Sequence, residues 1–148
     1  MKTNAKVISV NISEKKGEIK KSVDKVQLKE EFGIIGDAHA GKWHRQVSLL
    51  ANESIEKMRA MDKGQFFCGS FAENITTSGI ELFTLEIGTK LLIGDTIQEI
   101  TQIGKECHNG CAIKNTIGQC IMPKEGIFTR VIKGGFIKVG DNIEIIKV

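Results

Sequence analysis

Residues 104–111, GKECHNGC, bring two cysteines, a histidine and a lysine together between glycines. Cys107 and Cys111 have three residues between them, and His108 directly follows the first. Structural zinc takes four Cys or His ligands, usually as two close pairs joined by a connecting segment. Cys107 and Cys111 supply one such pair, whereas Cys120 stands alone, so a second pair would have to draw on Cys68 or a distant histidine. A reactive thiol asks for less: the thiolate is the nucleophile, and neighbouring cations favour it. Lys105 and His108 flank Cys107, with Glu106 opposing them, in a glycine-bordered loop. Such a thiol accepts sulfur as a persulfide or binds a soft metal. A plain loop cysteine is the third reading, and on these residues alone all three stay open.

Two further segments place chemically able residues beside apolar runs. In GDAHAGKWHRQVSLL (36–50), His39 and His44 precede Arg45 and Gln46 as a compact apolar stretch begins. A loop feeding a rigid strand is a usual place to hold a binding group. The planar fork of arginine pairs two oxygens of a carboxylate, phosphate or oxyanion. His-x4-His without a helix is weak metal spacing, so an anion suits this segment better than a bare cation. In GSFAENITTSGIEL (69–82), Glu73 and Asn74 stand just before the strand-like ITTSG. They either organise a pocket or occupy a solvated turn. NIT has the form of a glycosylation sequon, which is void without export.

Mostly β structure is expected to position these groups. KVISVNI (6–12) alternates, Val26 and Leu28 repeat the pattern after a Lys/Glu-rich connection, and QVSLLA (46–51) reads as a buried strand. NESIEKMRAMD changes period: Asn52 suits an N-cap, Glu53 the first turn, and Ile55, Met58 and Met61 one helical face. GTKLLIGDTIQEI (88–100) and GGFIKVGDNIEII (134–146) share a Gly-Asp corner between apolar runs. Gly and Asp are turn residues, and strands that turn such corners suit a closed or nearly closed sheet. After Pro123, a short helical stretch through GIFTRVIKGG is expected, ended by Gly134 and Gly135. The predicted fold is a mostly β, barrel-like structure with a few short helices.

The 148 residues, 41% apolar and 26% charged, fit one domain (1–148) of ordinary globular composition. No run reaches the roughly 18 apolar residues of a membrane span, and no signal-peptide pattern opens the sequence, so a cytoplasmic protein is expected. The net charge of +3 is spread among acids through EKKGEIKKSVDKVQLKEE, which reads as a solvated surface. With few aromatics and no tyrosine, neither nucleic acid nor membrane is an expected partner.

Taken in order, GIIGDAHAGKWHRQVSLLANESIEKM, GSFAENITTSGIEL, LEIGTKLLIGD, TQIGKECHNGCAI and MPKEGIFTRVIKGGFIKVGD resemble the MOSC domain, named after the C-terminal domain of molybdenum cofactor sulfurases. The resemblance runs from about Gly33 to Asp141 and implies a strand-rich, barrel-like fold. It also implies a role in handling sulfur for molybdenum (or tungsten) cofactor through a cysteine persulfide. Cys107 matches the sulfur-bearing position. His44, Arg45, Glu73 and Asn74 fall on family-typical polar positions, and Arg130 lies in the matching FTRV segment. His39 and His108 complete the candidate cofactor-binding set, and no protein-held metal is expected.

A cysteine desulfurase or other sulfur donor, and a molybdoenzyme or cofactor-biosynthesis protein, are the implied partners. The chain has no room for the pyridoxal-phosphate desulfurase domain of full sulfurases, so no pyridoxal phosphate is expected on it. A non-catalytic cofactor carrier and a zinc-stabilised interaction domain are the alternatives.

Overall fold

The computed structural model describes residues 4–15, 19–60, 73–104 and 125–146. Cys68, Cys107, His108, Cys111, Cys120 and Met61 lie outside them, as does the side chain of Met58. The strands are β1 (Lys6–Ile12), β2 (Lys21–Val23), β3 (Lys25–Lys29), β4 (Gly33–Ile34), β5 (Val47–Ala51), β6 (Ile75–Ser78), β7 (Lys90–Ile93), β8 (Thr96–Ile103), β9 (Ile127–Lys133), β10 (Gly135–Lys138) and β11 (Ile143–Ile146). The helix α1 (Asn52–Ala60) follows β5, and a 3-10 turn covers Leu82–Thr84. Among the described residues no helix is long and apolar enough to cross a membrane.

Eight strands form one sheet in the order β11-β7-β8-β9-β5-β6-β1-β2, and β10-β3-β4 form a second. Val7, Val10, Val26, Leu28, Leu49, Ile75, Leu91, Ile93, Val131 and Ile137 share one hydrophobic core contributed by both sheets. The Val26/Leu28 alternation is realised in β3, whose intervening residues are exposed. β5 is buried at every position, as its mostly apolar run requires, with the polar Ser48 satisfied by Asn74. It pairs parallel with β6 and antiparallel with β9. A parallel pair needs a crossover, and α1, with Ile55 fully buried, opens that connection.

The expected helix through residues 126–133 is instead β9. Ile127, Thr129 and Val131 are β-branched, and β9 fills the slot between β5 and β8, so ladder pairing overrides the local helical pattern. The barrel expectation also needs refinement. The amide of Val7 donates to Asp141 O (2.8 Å), that of Gly140 to Val7 O (2.8 Å) and that of Ile143 to Ala5 O (3.1 Å). These bonds draw opposite flanks of the large sheet together without a continuous ladder, so the sheet curls but does not close.

The two Gly-Asp corners meet in space. Gly94 donates to Asn142 O (3.2 Å), and β11 pairs with β7. Gly94 has φ +55, and a Cβ there would sit 2.5 Å from Asp141 Oδ2 and 2.9 Å from Phe136 O, so only glycine fits.

Candidate functional site

The loop between β4 and β5 carries most of the candidate chemistry. Gly36, at φ +91, turns the chain so that Asp37 points inward. Asp37 Oδ1 accepts the Ser13 amide (3.0 Å) and Oδ2 accepts the His39 amide (3.0 Å). The Nζ of Lys20 donates to Asp37 Oδ1 (2.8 Å), to Ser13 Oγ (2.9 Å) and to His39 Nδ1 (3.0 Å). Both charged side chains of this ion pair are 0% exposed. Burial raises the Asp37 pKa, but the charge and hydrogen bond of Lys20, with the two amides, outweigh it and hold the carboxyl below its ordinary range. Beside Ser13 and Gly36 lies a cavity of about 460 Å³, whose walls include Ile12, Ile19 and Val23.

Sequence reasoning found His39 but missed Lys20 and Asp37. The Lys/Glu-rich connection was expected to be solvated throughout, and Lys20 overturns that because Asp37 and Ser13 offer it partners inside. The only sequence signal was Asp37 itself, two residues before His39 in GDAH. Nothing in the lysine run distinguishes Lys20 from its neighbours.

From His39 a file of rings leads on. Trp43 stacks on His39 with centroids 6.4 Å apart and donates from Nε1 to His39 O (2.7 Å). His44, exposed, meets Trp43 edge-on at 5.9 Å. Arg45 comes next, its guanidinium 5.2 Å above the Phe128 ring centroid and its Nε donating to Gln102 Oε1 (3.1 Å). The bulge in β8 between Ile100 and Gln102 sets Gln102 opposite Phe128 and thus under Arg45. Gln102 Nε2 in turn donates to Gly104 O (2.7 Å), and Thr101 Oγ1 donates to His44 O. Gln46 then anchors the loop to the sheet by accepting the Val131 amide (2.9 Å). One hydrogen bond and one cation–π contact therefore orient Arg45, and its terminal amino groups have no hydrogen-bond partner among the described residues.

The other candidates are placed differently. Asn74 is buried and stitches three strands together. Its Oδ1 accepts Ser48 N (3.0 Å), and its Nδ2 donates to Asn11 O (3.1 Å). Glu73, also 0% exposed, accepts Thr76 Oγ1 (2.7 Å), and its carbonyl accepts Asn11 Nδ2 (3.1 Å). The solvated-turn alternative for Glu73 is thereby removed. Arg130 shares a face of β9 with Phe128 by strand alternation, but it is paired with Glu99 (2.8 Å) and with Glu31. The Glu99 hydrogen bond, then the two carboxylate charges, raise its pKa further. Cys107 and His108 lie outside the described residues, and the segment that carries them follows Gly104. Among the described residues no cluster of three or more His, Cys, Asp and Glu is arranged to hold a metal.

Two strand-rich sheets curled around one core, with a polar loop feeding the central strand, define the structural class. The family model for the MOSC domain matches residues 36–144, and the chain belongs to that family, which is linked to molybdenum cofactor chemistry. The fold is similar to that of the YuaD protein from Bacillus subtilis, with TM-score 0.78, 21% identity, and coverage of 95% of this chain and 94% of that one. It is also similar to YiiM from Geobacillus stearothermophilus, with TM-score 0.74, 18% identity, and coverage of 97% of this chain and 75% of the other. YiiM from Escherichia coli gives TM-score 0.70 at 18% identity, covering 100% of this chain and 71% of its own. No curated protein matches the sequence.

Proposed function

We propose that this MOSC domain takes molybdenum or tungsten cofactor, or a related metal–sulfur species, as substrate and supplies it with sulfur held on Cys107 as a persulfide. The observation that carries the reading is Arg45. It is oriented by Gln102 and Phe128, and among the described residues its terminal amino groups have no hydrogen-bond partner. A pterin cofactor presents a phosphate and a metal oxyanion, and an arginine fork suits either. His44 stands exposed beside it as a second donor. The metal arrives on the cofactor's own dithiolene.

Cys107 follows Gly104 by three positions in the sequence (107 − 104 = 3), and Gly104 is tied through Gln102 to Arg45. That connection supports one cleft for thiol and cation. In the loading step the Cys107 thiolate attacks the outer sulfur of a donor persulfide, such as that of a cysteine desulfurase. An S–S bond forms to Cys107, and the donor leaves as a thiolate. For delivery, a second thiolate attacks Cys107 Sγ, forming a disulfide and releasing sulfide. With two protons, that sulfide replaces a metal oxo group, which leaves as water. Cys111, Cys120 or an external thiol is the reductant. The acceptor is a molybdoenzyme or a protein of cofactor biosynthesis.

Binding is tested by incubating the chain anaerobically with cofactor released from a molybdoenzyme, then measuring pterin and metal in the gel-filtered protein. Stoichiometric co-elution that falls at least tenfold in Arg45→Ala is expected. Absence of co-elution, or equal retention by Arg45→Ala, contradicts the reading. Cofactor retained by a protein whose Cys107 never takes up sulfur is the result that a non-catalytic carrier gives.

A further inference from the structure

We propose that the outer face of the small sheet β10-β3-β4 docks an acidic partner protein, one that presents carboxylates around an apolar centre. The proposal rests on the chemistry of this face and is independent of the cofactor reading above.

β3 turns Val26 and Leu28 into the core, so Lys25, Gln27 and Lys29 alternate onto the opposite, exposed face. On β10, Ile137 is buried while Phe136 and Lys138 are exposed. In the ladder Phe136 lies opposite Gln27, and Lys138 opposite Lys25. Just past β4, the Ile35 amide donates to Gln27 O (2.9 Å), which sets Ile35 on the other side of Gln27. Ile35 follows the fully buried Ile34, so it alternates outward. A row Phe136–Gln27–Ile35 therefore crosses the sheet, with Phe136 45% and Ile35 49% exposed. Exposed apolar residues scattered singly are ordinary, but here two share an uncharged row with lysines around it.

Those lysines lack anions. Lys25 Nζ lies 5.0 Å from the Phe136 ring centroid, and Lys29 Nζ 5.9 Å from that of Phe32. Among the described residues neither ammonium has a carboxylate partner, whereas Lys138 is paired with Asp141 (2.8 Å). An exposed ammonium over a ring is weakly held, and an incoming carboxylate takes it with a stronger, charge-assisted hydrogen bond. Drawing Lys25 aside also bares the Phe136 ring for apolar contact.

An apolar centre with a polar rim is the anatomy of a protein interface. A second copy docked face to face would set these lysines against their own kind, which like-charge repulsion opposes. Sheets that read RNA stack two or three bases on aromatic rings. Phe136 is the one aromatic of β10, β3 and β4, and its neighbours in the row are an amide and an aliphatic side chain, which suit protein better. The size of the face fits a transient contact, the class that buries less than about 1,200 Å² in total. It also adjoins the loop that carries Arg45, since Ile35 precedes Gly36 and the Gly41 amide donates to Phe32 O (2.7 Å). A partner seated here reaches the root of that loop.

The test records amide proton–nitrogen spectra of the full ¹⁵N-labelled chain with a synthetic peptide of alternating glutamate and leucine. Two counterparts carry glutamine or lysine in place of glutamate. The glutamate peptide is expected to shift the amides of Gln27, Ile35 and Phe136 saturably. Binding should be about tenfold weaker in Phe136→Ala, which leaves the core intact, and in the double variant Lys25→Glu/Lys29→Glu. The double variant should prefer the lysine peptide, a reversal that loss of folding cannot produce. No shift at these amides in wild type, or equal binding of the glutamine peptide, overturns the proposal whether or not a variant folds. An unchanged preference in the folded double variant overturns it as well. So does an oligonucleotide that binds this face and resists displacement by the glutamate peptide, or a dimer in sedimentation runs that Phe136→Ala abolishes.

Discussion

Taking Lys20 and Asp37 out of water costs on the order of several kcal/mol per ion, and the 2.8 Å contact offsets this only because Ser13 and the His39 amide satisfy the remaining valences. Removing one partner strands the other. Lys20→Met is therefore expected to lower unfolding free energy by about 3–5 kcal/mol in urea titrations, and adding Asp37→Asn should recover part of the loss. The same pair sets an acid limit. Because the folded pKa of Asp37 is lowered, the unfolded chain binds the proton more readily. The stabilisation is complete above the unfolded value of about 3.9 and is lost as pH falls through the lower folded value. Urea midpoints measured from neutral pH downward should drop in this acid range for wild type, and this component should vanish in Asp37→Asn. At this scale the sequence revealed residue types but not burial. His39 and Arg45 stood out by their place before an apolar run, whereas Lys20 looked like every other lysine around it, because its burial depends on a partner 17 positions away.

The elements were more legible, since period and turn chemistry are local. The 5-residue run of β5, the alternation of β3 and the helix starting at Asn52, with Ile55 buried on it, all appear where their patterns lie. The exception is instructive. Residues 127–133 carry a pattern that tolerates a helix, and only the vacancy between β5 and β8 makes them a strand, which no local pattern records. Two substitutions test the element account. Ile55→Ala, which empties a fully buried position on α1, is expected to cost about 2–5 kcal/mol by chemical denaturation. Gly94→Ala adds a Cβ 2.5 Å from Asp141 Oδ2 at φ +55, where the two corners touch. A loss of more than about 1 kcal/mol, seen as a melting temperature several degrees lower, is expected.

At the scale of the molecule, the eight-stranded sheet holds the 36–46 loop against the end of β8, so that one end of the curled sheet gathers Arg45, Gln102 and Gly104. The sequence placed Arg45 and Gly104 in separate motifs, and their link through Gln102 is a product of the β8 bulge, which no motif announces. In the proposed function, that end of the sheet serves sulfur delivery, with Cys107 as the acceptor of the sulfur atom. Its most direct test is intact-protein mass spectrometry after incubation with a cysteine desulfurase and cysteine under anaerobic conditions, followed by peptide mapping. Wild-type chain is expected to gain the mass of one sulfur atom, mapped to Cys107, removable by dithiothreitol and absent in Cys107→Ser. Arg45→Ala should still load. No gain in wild type, or an equal gain in Cys107→Ser, would contradict the assignment.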